Sequence, residues 1–450
     1  MPLQKVLARI KPSQKEIDEV HKFLGRLEDE TRKLGCEGLA AGSIGKHTWL
    51  KGDHDIDWFL MFPKETSREL LEKEGLAIGR KLAKALRGKI QIKYAEHPYT
   101  RILFKKYHID VVPCYKIEKG ERIISAVDRS PLHLAFINEK MPAKAQDDVR
   151  LLKQFLKGTH VYGSDLRRSG FSGYIAELLV IKYGSFADTI KNAAKWKPGL
   201  VINMGASRIS KLEKVPLTII DPVDEKRNVA AALNEENFLR FVSVCNQFLK
   251  KPSLDHFFPK DLALKGVEIK NLQSRGTYWF AFVGKAPDVI DDILWPQMRR
   301  ASERIGNLLK KNDFEIYTKG VFAGKKMTLW FELEEGQKPH AEKMTGPPIY
   351  AKNNFTQFLE KYSDSEFGIA VEEDKVVAYR RRPMQKASEI KTISKKPLEW
   401  MQQNGIPGNI ASSLRKGRFT EQKKFWRFVR KNKELSRYMR RKYFETALSL

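Results

Sequence analysis

The sequence predicts an α+β protein of several domains: a head built on a mixed sheet, a helical centre, and an α/β C-terminal body ending in a basic helical tail. Three observations carry that prediction. At 450 residues the chain is too long for one ordinary domain, and about three are expected. Strand-like apolar runs mix with helical periodicity over residues 1–140, helical periodicity dominates 141–255, and strands return in 256–450. Apolar residues make up 42% and charged residues 31%, a composition able to bury real cores.

The head opens with a helix. Ser13 and Glu16 have capping-box spacing, Ile17, Val20, Leu24 and Leu27 follow at helical intervals, and Gly35 stops it. "EGLAAGSIGKHTWL" reads as strand or coil leading into a short helix, with Ser43 as its cap. "DIDWFLMF" is a buried strand and "RELLEKEGLAIGRKLAKALRG" a helix; "IQIKYA", "RILFKKY" and "HIDVVPCYKI" are strands. In the centre, "AQDDVRLLKQFLKGTHVYG", "SGYIAELLVIKYGSFADTIKNAAKW" and "EENFLRFVSVCNQFLKK" are helical. In the body, "GTYWFAFVG", a helix near 288–311, "FEIYTKG" and "KMTLWFELEE" give a β-α-β-β order. That order fits half of a ferredoxin-like or RNA-recognition-type unit.

Lys and Arg number 83 against 55 Asp and Glu, for a net charge of +28. Such an excess is the footprint of a polyanionic partner. No apolar stretch approaches the ~20 residues needed to span a bilayer, and the N-terminus lacks a signal-peptide core. Nucleic acid is therefore preferred over a membrane surface. Cys36, Cys114 and Cys245 show no zinc spacing and read as buried thiols of a reducing cytoplasm. The charge is densest in residues 412–450. Thirteen Lys and Arg there, including Arg427, Arg430, Lys431, Arg437, Arg440 and Arg441, face three acids, Glu421, Glu434 and Glu445. Phe425, Trp426, Phe428 and Val429 interleave with them. A helix with one apolar and one cationic side follows, suited to nucleic-acid phosphates. The alternative is a solvated surface helix.

Asp55 and Asp57 stand two apart in a strand and project from the same face. Two neighbouring anions repel and resist desolvation, and a divalent cation relieves both costs. Hard oxygen donors suit Mg²⁺. Asp110 is a lone acid in another apolar strand. If the strands are neighbours, three carboxylates converge, and three can hold two metals about 3.5–4 Å apart for phosphoryl or nucleotidyl transfer. Upstream, Gly42 allows close backbone approach, and Ser43 and Lys46 suit phosphate oxygens. The reaction that fits is attack of a hydroxyl on a nucleotide α-phosphate. Asp128 in "AVDRSP" reads as a turn or cap residue, and the aromatics of "SRGTYWFAF" as either stacking platform or core.

"GSIGKHTWLKGDHDIDWFLMFP" resembles the signature of the polymerase-β nucleotidyltransferase superfamily, and more narrowly that of the archaeal, class I CCA-adding enzymes, which are tRNA nucleotidyltransferases. "YHIDVVPCYKI", "SAVDRSPLHLAFINEKM", "DVRLLKQFLKGTHVYGSDLRRSGFSGYIAELLVIKYGSF" and "DPVDEKRNVAAALN" extend the likeness to about residue 235, and the later half is similar more loosely. The resemblance implies a polymerase-β-type head that adds C, C and A to the 3′ end of tRNA from CTP and ATP, without a template and with two Mg²⁺ ions. Asp55, Asp57 and Asp110 become the catalytic and metal-binding triad; Asp55 stands where Glu is also found. Gly42, Ser43 and Lys46 lie at the triphosphate, Lys46 where Arg is familiar. His133, Lys153 and Tyr162 fall at nucleotide contacts, and Arg227 where an arginine helps read the base. The acceptor stem and T arm of tRNA become the partners of the basic half, and a cytoplasmic homodimer is implied. Two alternatives remain: another nucleotidyltransferase of the superfamily, such as a poly(A) polymerase, and a catalytically inactive RNA-binding protein.

Overall fold

The computed structural model describes residues 3–94, 96–205 and 215–444. It divides into two compact units, one running to Lys260 and the other starting at Asp261.

The first unit begins with α1 (Leu3–Ile10) and α2 (Gln14–Lys33). The Ser13 Oγ caps α2 by accepting the Glu16 N–H at 3.2 Å. The expected box is only half formed, because the Glu16 carboxylate accepts from the Gly52 N–H at 2.9 Å instead. Then come β1 (Glu37–Ala40), the single turn α3 (Gly42–Gly45), β2 (Asp55–Phe62), α4 (Arg68–Leu86), β3 (Lys89–Tyr94), β4 (Pro98–Phe104) and β5 (Tyr107–Tyr115). The sheet order is β1-β2-β5-β4-β3, with β2 and β5 parallel and the other pairs antiparallel.

One face of this sheet is apolar and dry. Ile56, Trp58, Leu60, Ile102, Ile109 and Val111 pack there against Val20, Phe23 and Leu27 of α2 and Ile78, Leu82 and Leu86 of α4. Alternation along the strands sends Asp55, Asp57 and Asp110 to the opposite face. Across that face's far end, Phe59 and Cys114 pack with Val127 of a 3₁₀ turn at Ala126–Asp128. Asp128 ties this turn down, accepting the Ser125 N–H at 2.5 Å and the Tyr115 N–H at 2.9 Å, and so is a turn residue.

Next follow α5 (Arg129–Lys140), α6 (Ala145–Gly158), α7 (Gly173–Tyr183) and α8 (Phe186–Ala193), strands β6 (Leu200–Ile202), β7 (Leu217–Asp221) and β8 (Asp224–Asn228), and α9 (Glu235–Lys250). α6 to α9 fall where the sequence reading places helical periodicity, with one stretch divided into α7 and α8 after Tyr183; α5 is absent from that reading. The three-stranded sheet β6-β7-β8 does not appear in it, because strands of three to five residues fall below any periodicity window. Phe155, Phe171, Phe186, Phe241 and Phe257 form the centre of a second core, which also takes in Val6 and Ile10 of α1.

The second unit holds α10 (Gly266–Gln273), β9 (Tyr278–Lys285), α11 (Asp291–Lys311), β10 (Ile316–Ala323), β11 (Lys326–Leu333), β12 (Ala341–Pro348), α12 (Lys352–Tyr362), β13 (Ile369–Glu372), β14 (Lys375–Arg381), α13 (Leu398–Gln403), α14 (Gly408–Arg415), β15 (Arg418–Glu421), α15 (Gln422–Lys431) and α16 (Lys433–Tyr443). Its main sheet is antiparallel in the order β10-β11-β9-β15. With α11 after the first strand and α13–α14 before the last, the half-motif read from the sequence is completed into a full β-α-β-β-α-β unit. One sheet face packs on α11 and α14, as Phe280, Phe282, Met298, Ile305, Ile410 and Leu414. The other is covered by the tail, where Trp279 and Trp330 meet Phe425, Trp426 and Val429. Trp279, Phe280 and Phe282 are thus core. The tail itself is two helices rather than one, broken at Asn432, whose side chain caps α16 by accepting the Leu435 N–H at 3.1 Å. Glu445 lies outside the described residues. No helix among the described residues is long and apolar enough to cross a membrane.

Candidate active site

The parallel register of β2 and β5 sets Asp57 opposite Asp110 and Asp55 opposite His108. Asp57 and Asp110 are therefore nearest neighbours on one face, and Asp55 lies two residues along. Gly42 closes over Asp57. Its φ of +60° turns the chain so tightly that a Cβ there would lie 1.9 Å from the Asp57 Oδ2. The Ala41 N–H donates to the Asp57 carbonyl at 2.8 Å, pinning the turn to the strand. Ser43 lies inside α3 rather than at its cap. The cap position falls on Ala41, which has no side-chain oxygen to offer.

Burial, and after it the negative charge of Asp110, push the Asp57 carboxyl up to about 6; Lys46 pulls the other way. No described side chain donates a hydrogen bond to this carboxylate. A half-buried acid with no side-chain donor, beside other acids, is the environment a hard cation satisfies. Asp55 is 71% exposed and accepts from His108 Nδ1 at 3.0 Å. Asp110 is gripped by Arg101 of β4, whose Nε and Nη2 reach its two oxygens at 2.6 Å each. With these partners in place, no three His, Cys, Asp or Glu side chains among the described residues stand close enough to share one ion. The oxygen-donor chemistry of Asp55, Asp57 and Asp110 fits a hard divalent cation such as Mg²⁺.

Beside the acids lies a buried cationic network. Lys46 reaches Glu177 Oε2 at 2.9 Å, and Lys153 reaches Glu177 Oε1 at 2.8 Å. The Thr48 hydroxyl donates to Glu177 Oε1 at 2.7 Å and accepts from Lys153 at 2.8 Å. Burial alone would raise the Glu177 carboxyl, but Lys153 and Lys46 hold it well below the usual carboxylate range. Arg150 secures the loop that presents Thr48 by donating to the carbonyls of His47 and Trp49. Tyr162 stands at the start of α7: a Cβ on Gly173 would meet its hydroxyl at 3.0 Å and the Lys153 Nζ at 3.5 Å, and Lys157 lies over its ring at 5.3 Å.

A second buried carboxylate, Asp221, organises the rest. It meets His133 Nε2 at 2.9 Å and accepts from Arg227 at 2.6 Å. Burial lowers His133 below its ordinary value, against the opposing pull of Asp221. Its ring stacks on Tyr174 at 3.9 Å, and Lys46 lies over the other partner of that contact, 4.6 Å from the Tyr174 ring centre. Arg227 is about one-third exposed. Lys46, Lys153, His133 and Arg227 are thus held by two acids, Glu177 and Asp221, that were not singled out in the sequence. Each left a signal: Glu177 is the lone acid in "YIAELLVIKYG", and Asp221 ends the apolar run "LTIID", as Asp110 interrupts its own strand.

In the tail, Arg427, Arg430 and Lys431 are exposed. Arg437 and Arg441 pair with Asp261, and Arg440 with Glu268. The expected six-residue cationic surface is therefore divided, with three of its members engaged within the fold.

Three family descriptions match the chain: a nucleotidyltransferase domain over residues 22–133, the second domain of tRNA nucleotidyltransferases over 147–258, and the C-terminal domain of CCA-adding enzymes over 275–420. A protein of Methanosarcina mazei named CCA-adding enzyme is 41% identical over 386 residues, covering 83% of this chain and 84% of its own. One of Methanocaldococcus jannaschii is 37% identical over 400 residues, covering 84% and 87%. One of Archaeoglobus fulgidus is 38% identical over 362 residues, covering 80% and 81%. The solved structure of a cytoplasmic RNA terminal U-transferase aligns with 56% of this chain and 93% of its own at 15% identity and a TM-score of 0.44, too distant a likeness to argue from.

Proposed function

The chain belongs to the archaeal-type CCA-adding enzymes, and from that membership we propose how its site works. The enzyme is a tRNA nucleotidyltransferase that adds C, C and A to the 3′ end of tRNA. The terminal hydroxyl attacks the α-phosphate of CTP or ATP, a P–O bond forms, the bond to the β-phosphate oxygen breaks, and pyrophosphate leaves. The observation that carries the mechanism is the Asp57–Asp110 register pair with Asp55 on the same face. Magnesium ions bound by Asp55, Asp57 and Asp110 would supply activation of the hydroxyl and compensation of phosphate charge.

The residues do the rest. Lys46 and Lys153, already desolvated and oriented by Glu177, present positive charge to the triphosphate without further ordering. Ser43 and the Gly42 backbone border it. Tyr162 and the His133–Tyr174 stack wall the nucleotide, and Arg227, aimed by Asp221, addresses the base. Lysine at position 46 offers a point charge rather than a bidentate fork, so phosphate geometry there is set by the network around it. The exposed Arg427, Arg430 and Lys431 suit the phosphates of the tRNA acceptor stem and T arm. A cytoplasmic homodimer is part of the proposal, and sedimentation of the purified protein checks the dimer. The main test of the proposal is incubation with tRNA lacking its last three nucleotides, CTP, ATP and Mg²⁺. Extension stopping after C, C and A supports it, and unlimited A addition to any RNA contradicts it.

A further inference from the structure

The carboxylate face of the head sheet has two halves of opposite charge. One register row runs Asp57, Asp110, Arg101, Gln91 across β2, β5, β4 and β3. On β4 and β3 the same face carries Tyr99, Arg101 and Leu103, then Lys89, Gln91 and Lys93, with no acid among them. Lys89 and Lys93 have no ion-pair partner among the described residues. The triphosphate cations Lys46 and Lys153 lie with Glu177, outside this row. The acids are therefore flanked by a second cationic surface that the triphosphate reading leaves unused.

Arg101 is the joint between the halves. It is 36% exposed, yet both arms of its fork are spent on Asp110, itself 19% exposed. A guanidinium on both oxygens and a cation on those oxygens exclude each other. The fork matches a phosphate diester as well as it matches a carboxylate.

We propose that Arg101 is a positioning residue that guards Asp110 in the unloaded enzyme and, once divalent cations take Asp110, swings to the acceptor strand, gripping the phosphodiester next to the 3′-terminal nucleotide along the β4–β3 surface of Lys89, Gln91 and Lys93. The inference rests on the cation reading of Asp55, Asp57 and Asp110. It makes cation binding and acceptor docking cooperative: each releases what the other needs. No bond is made or broken by Arg101 itself.

The test uses full-length protein and Mn²⁺ as an EPR-visible probe, with neither nucleotide nor tRNA present. Arg101→Gln is expected to tighten Mn²⁺ binding by about tenfold, the scale of one charge-assisted pair removed from competition. The same variant should bind end-trimmed tRNA about tenfold more weakly in the presence of Mg²⁺, with the salt slope smaller by nearly one. Arg101→Lys should recover part of the tRNA affinity while still binding Mn²⁺ more tightly than the wild type. A merely structural arginine would instead weaken Mn²⁺ binding as the site loosens. Unchanged or weaker Mn²⁺ binding in Arg101→Gln, with Asp57→Asn abolishing it, overturns the role of Arg101 alone. No Mn²⁺ binding by the wild type, unaltered by Asp57→Asn, overturns the cation reading and this inference with it.

Discussion

Asp57 and Asp110 are direct register partners on the parallel pair β2–β5, so the two acids lie side by side although 53 residues of chain separate them. Removing either should stop chemistry and spare binding. Asp110→Asn and Asp57→Asn are expected to lower nucleotide incorporation by at least about 10³-fold, which is about 4 kcal/mol of transition-state stabilisation. Their affinity for tRNA, measured by filter binding, should change less than about twofold, because phosphate contacts elsewhere supply it.

The carboxyl of Asp57 also has a stability cost. Its folded value of about 6, raised first by burial and then by Asp110, lies above the ~3.9 of an unfolded chain. The folded protein therefore binds this proton more tightly. The resulting stabilisation is complete below about pH 4 and is lost as pH rises through about 6. In EDTA, Asp57→Asn should be more stable than the wild type at pH 8, by up to about 3 kcal/mol, with the advantage shrinking toward pH 5. Urea unfolding at the two pH values checks this. A pH-independent difference would place Asp57 in a more solvated setting than the structure gives it.

Glu177 is the counter-charge of two buried ammonium groups. Glu177→Gln should cost about 3–5 kcal/mol in denaturant unfolding, because it strands them. Adding Lys153→Met to Glu177→Gln should recover part of that loss, the signature of a coupled pair. Both variants should raise the KM for CTP and ATP.

Asp221 aims Arg227 and His133. Asp221→Asn should leave the fold in place but relax base choice, changing the ratio of kcat/KM for CTP and ATP at each addition step. Arg227→Ala should shift the same ratio, and the double variant should match the single ones. Single-nucleotide extension kinetics measure it. Ratios in all three variants equal to that of the wild type would remove this cluster from base discrimination.

The tail divides by ion pairing. Replacing Arg427, Arg430 and Lys431 with Ala should weaken tRNA binding and lower its salt slope by up to about 2–3. Arg440→Ala, which breaks the pair with Glu268, should act chiefly on stability. A salt titration of tRNA affinity separates the two.

Local signals made much of this legible in the sequence. The Ser13 cap, the strand around Asp55 and Asp57, the helix from Arg68 and the strand around Asp110 all depend on near neighbours, and all appear where expected. The pairing of distant segments was not legible. Lys46 meets Glu177 across 131 residues and His133 meets Asp221 across 88, and even the Arg101–Asp110 clamp, nine residues apart, needs the β4–β5 register. Asn432 was missed because the basic and apolar residues on either side keep one helical pattern through it. The last strand of the C-terminal sheet, four residues ending in Glu421, is too short to stand out without its partner Phe280–Val283.

The most direct measurement is anomalous diffraction from crystals of the enzyme grown with Mn²⁺, a non-reactive CTP analogue and an acceptor RNA. In the proposed mechanism manganese peaks lie against the carboxylates of Asp55, Asp57 and Asp110, with the Arg101 guanidinium moved off Asp110. An absence of any peak within ligand distance of Asp57, with the triphosphate bound beside it, would contradict it.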